Sequence, residues 1–510
     1  MYAKLLSAQS SATKAQLVEL ELSLKEKGIH QISMVGLPDK AVEEAKDRVS
    51  AALDIADFQK SENFKTLKSY RGKVTVSFSP AELKKSGSLF DLPLALAYLK
   101  ALGELENIPE KTLFVGELAL DASIKPVRGV ISIAILAKEA GFERIVVPKA
   151  NLFEALAVDS LKVSAYESLE DLVEDLKVGA LKESKKEAHA KPKKHTPKYL
   201  LDDIKGQALA KRALAVAASG GHNIALYGPP GTGKSMLAKV FAELLPDLER
   251  DESLELSKIY SAKGLLKGEL IERPPVRAPH HSASHIAILG GGAEISPGEI
   301  SLAHKGVLFL DEFPEFDKRV INALREPLEE RRITVSRASG SETFPADFIL
   351  LVALNPCPCG YLGTNKCTCT ASAIQRYQNK ISGPIADRID MWVEVSQVEY
   401  DKLLDNKKRE AKEHMQALAS VKRAREAQKS RFGKARLNSQ MSPAALNKFV
   451  SLHSSVKSLL DSAAEKMGLS ARAYHKVIKL ARTIADMEGE KDIKEEHLLE
   501  ALNYREKMLK

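Results

Sequence analysis

Short apolar runs alternate with helical stretches through the first third of the chain. VTVSF (74–78) and RIVVP (144–148) have the strand-forming composition and spacing of β-structure. AVEEAKDRVSAALD (41–54) and ISIAILAKEAG (131–141) repeat their apolar positions at helical intervals and stop near glycine or loop residues. Residues 1–178 therefore read as a mixed α/β domain. From 199 to about 395 the runs become more apolar: NIALYG, then a helical stretch, then GVLFLDE, then FILLVALN. Strands of this kind separated by helices predict a largely parallel sheet covered on both faces. After 396 the strand signals end. Residues 401–436 are Lys/Arg-rich and helical in pattern, and 442–510 carry three further helical stretches, from the Ser-Pro start of SPAALNKFVSL to KDIKEEHLLEALNYREKML.

One segment breaks the pattern. KESKKEAHAKPKKHTPK (182–198) has seven Lys, two Glu and two Pro without apolar periodicity, so 179–198 reads as an exposed basic linker. Contact of this stretch with DNA is the alternative reading. The expected organisation is 1–178, linker 179–198, an α/β core over 199–395 and a helical region over 396–510.

Composition changes this picture little. A chain of 510 residues accommodates about three domains of ordinary size. A net charge of +8 leans toward a polyanionic partner, or equally reflects a solvated surface with excess Lys. The first residues, MYAKLLSAQSSATK, lack the apolar core of a secretory signal, and no run approaches the ~20 apolar residues of a membrane span. All four cysteines fall between 357 and 369, which excludes a disulfide framework. A soluble cytoplasmic protein without a membrane partner is expected.

The chemistry concentrates in an ordered set of motifs. Residues 228–235 read GPPGTGKS, a complete phosphate loop flanked by an apolar strand and a helical run. Gly228, Gly231 and Gly233 let the backbone curl, with Pro229, Pro230 and Thr232 completing the loop, so that amides face the phosphates of ATP. Lys234 is placed to reach the β- and γ-phosphates, and the Ser235 hydroxyl to bind Mg²⁺. Asp311 ends the strand VLFL, where a carboxylate can also serve Mg²⁺, and Glu312 becomes the candidate base for the attacking water. Asn355 ends the next apolar strand, where its amide can orient that water. Arg388, in GPIADRID (383–390), is a candidate finger acting on a neighbour's γ-phosphate, or else pairs with Asp387 or Asp390 on the surface. An arginine acting in trans requires a ring or filament.

GPPGTGKS, LFLDE, LNP and GPIADRID in this order resemble an AAA+ ATPase. RPPVRAPHHSAS (273–284), the NPCPCG stretch and GLSARAYHKVIKLARTIADMEG (468–489) are similar to the Mg-chelatase-like ComM/YifB family, essentially end to end. The resemblance implies an α/β multidomain fold: a Lon-protease-like α+β domain, an AAA+ parallel-sheet core and an α-helical lid. It also implies a ring, expected to be hexameric, that drives branch migration of DNA in homologous recombination and natural transformation. By the same resemblance Arg472 becomes a second nucleotide-sensing arginine, with Arg482 as its rival.

Two segments are candidate DNA contacts of low sequence specificity, for branched or single strands. RPPVRAPHHSASHIAILGGG (273–292), which includes Arg277, is too rich in Pro, Gly and His for an ordinary helix and resembles a pore insertion. RRITVSRASGSETFPADF (331–348) predicts a hairpin carrying Arg332 and Arg337, suited to phosphate contact or to subunit contacts. His280, His281 and His285 lack acidic or Cys partners at metal-binding spacing. Cys357, Cys359, Cys367 and Cys369 form two C-x-C pairs whose thiolates could hold a tetrahedral Zn²⁺, with reduced, metal-free thiols as the alternative.

In the N-terminal domain KKSGSLFDLPLALA places Ser88 near the nucleophile position of the Lon family, but matching PVRG leaves Ile131 where the activating lysine should stand. A serine without a base is a weak nucleophile, and Lys125 or Lys138 would substitute only with a different geometry. Proteolysis is therefore not expected. Two other functions remain open: the motor subunit of a magnesium-chelatase-type complex, and a non-catalytic scaffold. The latter is disfavoured because no ATPase position is missing.

Overall fold

A computed structural model describes residues 1–11, 14–26, 31–56, 67, 70–185, 195–292, 295–337, 340–381, 383–396, 411–433 and 436–506. Chain contacts divide it into two compact units: 1–193 with 250–271, and 194–249 with 272–510. Within the expected linker, residues 186–194 lie outside the described residues.

Among its described residues the first unit carries a four-stranded sheet, a three-stranded sheet and a short antiparallel pair, Glu117–Leu118 with Ile124–Lys125. Tyr2–Ser11 and Lys14–Lys25 form a long antiparallel hairpin, Lys73–Ser79 joins it antiparallel, and Gln31–Val35 closes the edge in parallel. In Lys14–Lys25 the side chains of Val18, Leu20, Leu22 and Leu24 point into the core while the intervening residues stay partly exposed, the period of a sheet with one wet face. Thr112–Phe114, Arg144–Pro148 and Lys162–Tyr166 make a second, parallel sheet. The helix Asp91–Leu102 is buried almost all round. The helix Arg250–Lys263 belongs to this unit although its sequence interrupts the expected 199–395 core. Its Ser261 hydroxyl donates to Glu154, and its backbone accepts from Gly129.

The second unit is built on a five-stranded, wholly parallel sheet. Its order is Val276–Arg277, Val307–Leu310, Ile349–Leu354, Ile224–Tyr227, Met391–Glu394. Val307–Leu310 and Ile349–Leu354 are buried at every residue, as strands covered on both faces must be. This mixed α/β architecture fits an AAA+-like fold. Helix Lys412–Phe432 and helix Ala471–Glu488 pack on Ala208–Gly220 and share one hydrophobic core with the sheet. Among the described residues four helices follow residue 442, not three: Pro443–Phe449, Ser454–Met467, Ala471–Glu488 and Glu495–Asn503. The first ends where Val450 turns extended, without a Gly or Pro to mark the break. No described helix is long and apolar enough to cross a membrane.

Candidate nucleotide site

The sheet register brings the nucleotide motifs together. Tyr227 pairs with Leu354, so Gly228 and Asn355 leave neighbouring strands side by side, at the carboxyl edge where open α/β sheets bind ligands. Gly231 and Gly233 adopt left-handed φ values of 78° and 89°, which no larger residue reaches cheaply, and the helix Lys234–Glu243 starts directly behind them. The Lys234 ammonium donates to the carbonyls of Gly228 and Pro229 at 2.7 and 2.9 Å and to Oδ1 of Asn355 at 3.1 Å. Burial lowers its pKa from the usual lysine range. Thr232 closes the loop through a 3.0 Å bond to the Pro229 carbonyl.

Asp311 follows the buried strand Val307–Leu310 and accepts from the Ser235 hydroxyl at 2.8 Å. A hydroxyl and a carboxylate side by side are hard oxygen donors of the kind Mg²⁺ selects, so these residues fit that ion. Glu312 sits in the left-handed region at φ 52°, its amide bonded to Asp311 Oδ1 at 3.0 Å. Such strain in a non-glycine residue is characteristic of functional positions. Its carboxylate meets Nδ1 of His281 at 3.3 Å, a contact with no signature in the spacing of the two residues. His281 stacks on His280 at 4.1 Å between ring centroids. Among the described residues, the three histidines of this segment do not gather as a metal site.

The arginines have other partners than the sequence suggested. Arg388 bonds Glu329 at 2.6 Å and the Pro384 carbonyl at 2.5 Å, rather than Asp387 or Asp390. Asp390 is occupied by Lys476 at 3.6 Å and by the Asn223 amide at 3.0 Å. Arg472 bonds the same Glu329 oxygen at 2.7 Å, so one carboxylate gathers both candidate nucleotide-sensing arginines. Arg482 is buried against Asp486 and the carbonyls of Glu490 and Lys491, which makes it a structural residue. Arg277 forms a two-bond pair with Glu299, both bonds 2.6 Å long, so its guanidinium is committed within the fold. Arg332 and Arg337 are exposed on the antiparallel hairpin Arg332–Arg337 and Gly340–Pro345. The residues at its turn, 338–339, lie outside the described ones.

The four cysteines converge. Sγ of Cys357 lies 3.4 Å from that of Cys359 and 3.9 Å from that of Cys367, and Cys359 lies 3.7 Å from Cys367. With Cys369, all four sulfurs fall within 4.8 Å of one another. In the first unit Ser88 donates to Glu117, and Ile131 is fully buried in the helix Val130–Glu139.

Family models match most of the chain. The model for magnesium chelatase subunit ChlI matches residues 200–403, its C-terminal counterpart 411–505, and a further ChlI model 18–151. The chain is 41% identical to competence protein ComM of Haemophilus influenzae, over 98% of this chain and 96% of that protein. The chain belongs to the ComM/YifB family of Mg-chelatase-like proteins. YifB of Escherichia coli is 38% identical over 96% of this chain and 93% of its own length. The 67 kDa magnesium-chelatase subunit of Chlorobaculum parvum is 30% identical, over only 30% of this chain and 23% of that protein. ComM/YifB membership thus spans the whole chain.

Proposed function

We propose that this chain is an ATP-driven, ring-forming DNA motor that promotes branch migration in homologous recombination and natural transformation. The observation that carries the reading is the convergence of Lys234, Ser235, Asp311, Glu312 and Asn355 at one sheet edge, in a chain similar to ComM over nearly its full length. Lys234 would bind the terminal phosphates, and Ser235 with Asp311 would hold Mg²⁺, whose bound charge offsets that of the phosphates. Glu312 takes a proton from the attacking water while Asn355 aligns it. Zn²⁺ occupies the four cysteines as a structural ion. The C-terminal helices act as a lid, and the first unit is a Lon-like domain that does not cleave peptides, because Ile131 stands where the Lon arrangement carries its activating lysine and the Ser88 hydroxyl is engaged by Glu117. A role as a magnesium-chelatase motor subunit is favoured by the family models' names and by a likeness to a 67 kDa magnesium-chelatase subunit that covers only 30% of this chain.

The test measures ATP turnover with and without four-way DNA, beside Lys234→Ala and Glu312→Gln. Branched DNA should stimulate the native chain, and ATP should drive strand exchange. Lys234→Ala should lose nucleotide binding. Glu312→Gln should bind ATP but turn over about 10²–10⁴-fold more slowly, the usual contribution of a positioned base. The DNA reading fails if branched DNA neither binds nor raises turnover at any salt concentration, and normal turnover in Glu312→Gln removes that residue from its role.

A further inference from the structure

We infer that the four-cysteine knuckle binds one zinc ion and, through Asn355 and Pro230, sets the geometry of the phosphate loop, so that ATP turnover depends on the metal. This rests on the ATPase reading above and adds a control element to the same site.

The sulfur spacing fits one tetrahedrally held, thiolate-bound ion. Metal–sulfur bonds of about 2.3 Å in a tetrahedron place sulfurs about 3.8 Å apart. The Sγ separations of 3.4, 3.7 and 3.9 Å among Cys357, Cys359 and Cys367 bracket that edge, and Cys369 lies within 4.8 Å of the other three. They are far beyond the ~2.05 Å of a disulfide. A single tetrahedral S₄ site suits zinc or one iron, whereas a multi-iron cluster holds its cysteines farther apart; zinc is the ion inferred, and elemental analysis separates it from iron.

The knuckle is clamped on the nucleotide site from two sides. It starts two residues after Asn355, whose side chain touches Lys234. Gly360, at φ 82°, turns its backbone so closely on the phosphate loop that a Cβ there would lie 2.7 Å from Pro230 and 3.7 Å from Asn355. On the far side Cys369 leads into the helix Ala371–Gln378, capped by Thr370, whose buried Tyr377 lies close enough to Asn355 for its backbone amide to offset a little of the rise that burial causes in the phenol pKa. The loop therefore leaves the sheet at Asn355, and the helix that follows it keeps Tyr377 near the same residue. Without a metal, the 357–369 loop keeps only local turns, such as Gly360 N–H to the Cys357 carbonyl and Cys367 N–H to the Thr364 carbonyl, and weak contacts between the thiols. With it, Asn355 and Pro230 rest on a rigid support, and a displacement of about 1 Å in such a residue costs up to about 100-fold in rate.

The test uses the full chain, kept reduced. Elemental analysis should find one zinc and no iron per chain. Stripping the zinc with a chelator should raise hydrogen exchange in the phosphate loop (228–235) and lower turnover about 10- to 100-fold, with ATP-analogue affinity changed less than about threefold. Adding zinc back should restore both. Asn355→Ala should keep its zinc and lose turnover, and adding Cys359→Ser to it should cost little more, since both act on one residue. If Cys359→Ser does not fold, chelation of the native chain carries the test alone. The inference is overturned if no zinc is found, if its removal leaves loop exchange unchanged, or if removal raises exchange equally in Ala208–Gly220 and Lys412–Phe432, the sign of general unfolding. A zinc-loaded chain that binds ATP without hydrolysing it would defeat the motor reading, while phosphate-loop exchange would still decide this one.

Discussion

Glu329 ties the two arginines that the motifs singled out separately. The Arg388 hydrogen bond, opposed by partial burial and supported by Arg472, holds its carboxyl below the usual glutamate range. A depressed carboxyl pKa contributes stability that is present above the ordinary glutamate value of about 4.3 and is lost as pH falls through the lowered one. The difference in melting between the native chain and Glu329→Gln should therefore hold from pH 8 to 5 and shrink in acid. Because Glu329 and Arg472 are 41% and 46% exposed, it should stay near 1 kcal/mol or less and weaken with salt. A difference that grows on acidification would remove the pairing. Glu329 had no signature in the sequence, since its partners are distant along the chain and only packing selects it from its acidic neighbours. GPPGTGKS was legible because its chemistry is local: each residue acts through its own backbone turn or its own reach. Asn355 became legible only through its place at a strand end.

Elements were readable where a periodic signal was unambiguous. RITVSR and GSETFP alternate and flank small turn residues, and they pair in register from Arg332 opposite Pro345 to Arg337 opposite Gly340. The N-terminal hairpin carried an equally clear alternation in QLVELELSLK, yet it was not among the expected strands. The helix Arg250–Lys263 was hidden for a different reason: periodicity reports that a helix forms, not which core receives it. The hairpin has its own test. Ile333, Val335 and Phe344 bury one face, leaving Arg332 and Arg337 exposed at opposite ends of their strand. Replacing both by Ala should leave the fold and basal turnover intact. It should weaken DNA binding without regard to sequence and reduce the salt dependence by about one unit per lost phosphate contact. An unchanged salt slope would assign these arginines to subunit contacts.

At the scale of the molecule the question is whose ATP Arg388 serves. Its side chain is 11% exposed and bonded to Glu329, while its Nε is buried without a hydrogen-bond partner among the described residues. To act as a finger, the guanidinium must exchange Glu329 for a neighbour's phosphate, which takes the same charge-assisted bonds from arginine as a carboxylate does. A finger acting in trans makes a mixing experiment decisive. Lys234→Ala subunits keep Arg388 but cannot bind ATP. Arg388→Ala subunits bind ATP but cannot complete a neighbour's site. Each variant alone should be nearly inactive, because a finger contributes about 10³–10⁵ in rate. Mixed rings place intact arginines beside intact nucleotide sites, so turnover should return in part and peak near an equal ratio. An arginine acting within its own chain would give no recovery at any ratio, because neither subunit then holds a complete site. Such a result would leave the Glu329 pair as a structural clamp and remove the chemical reason for assembly.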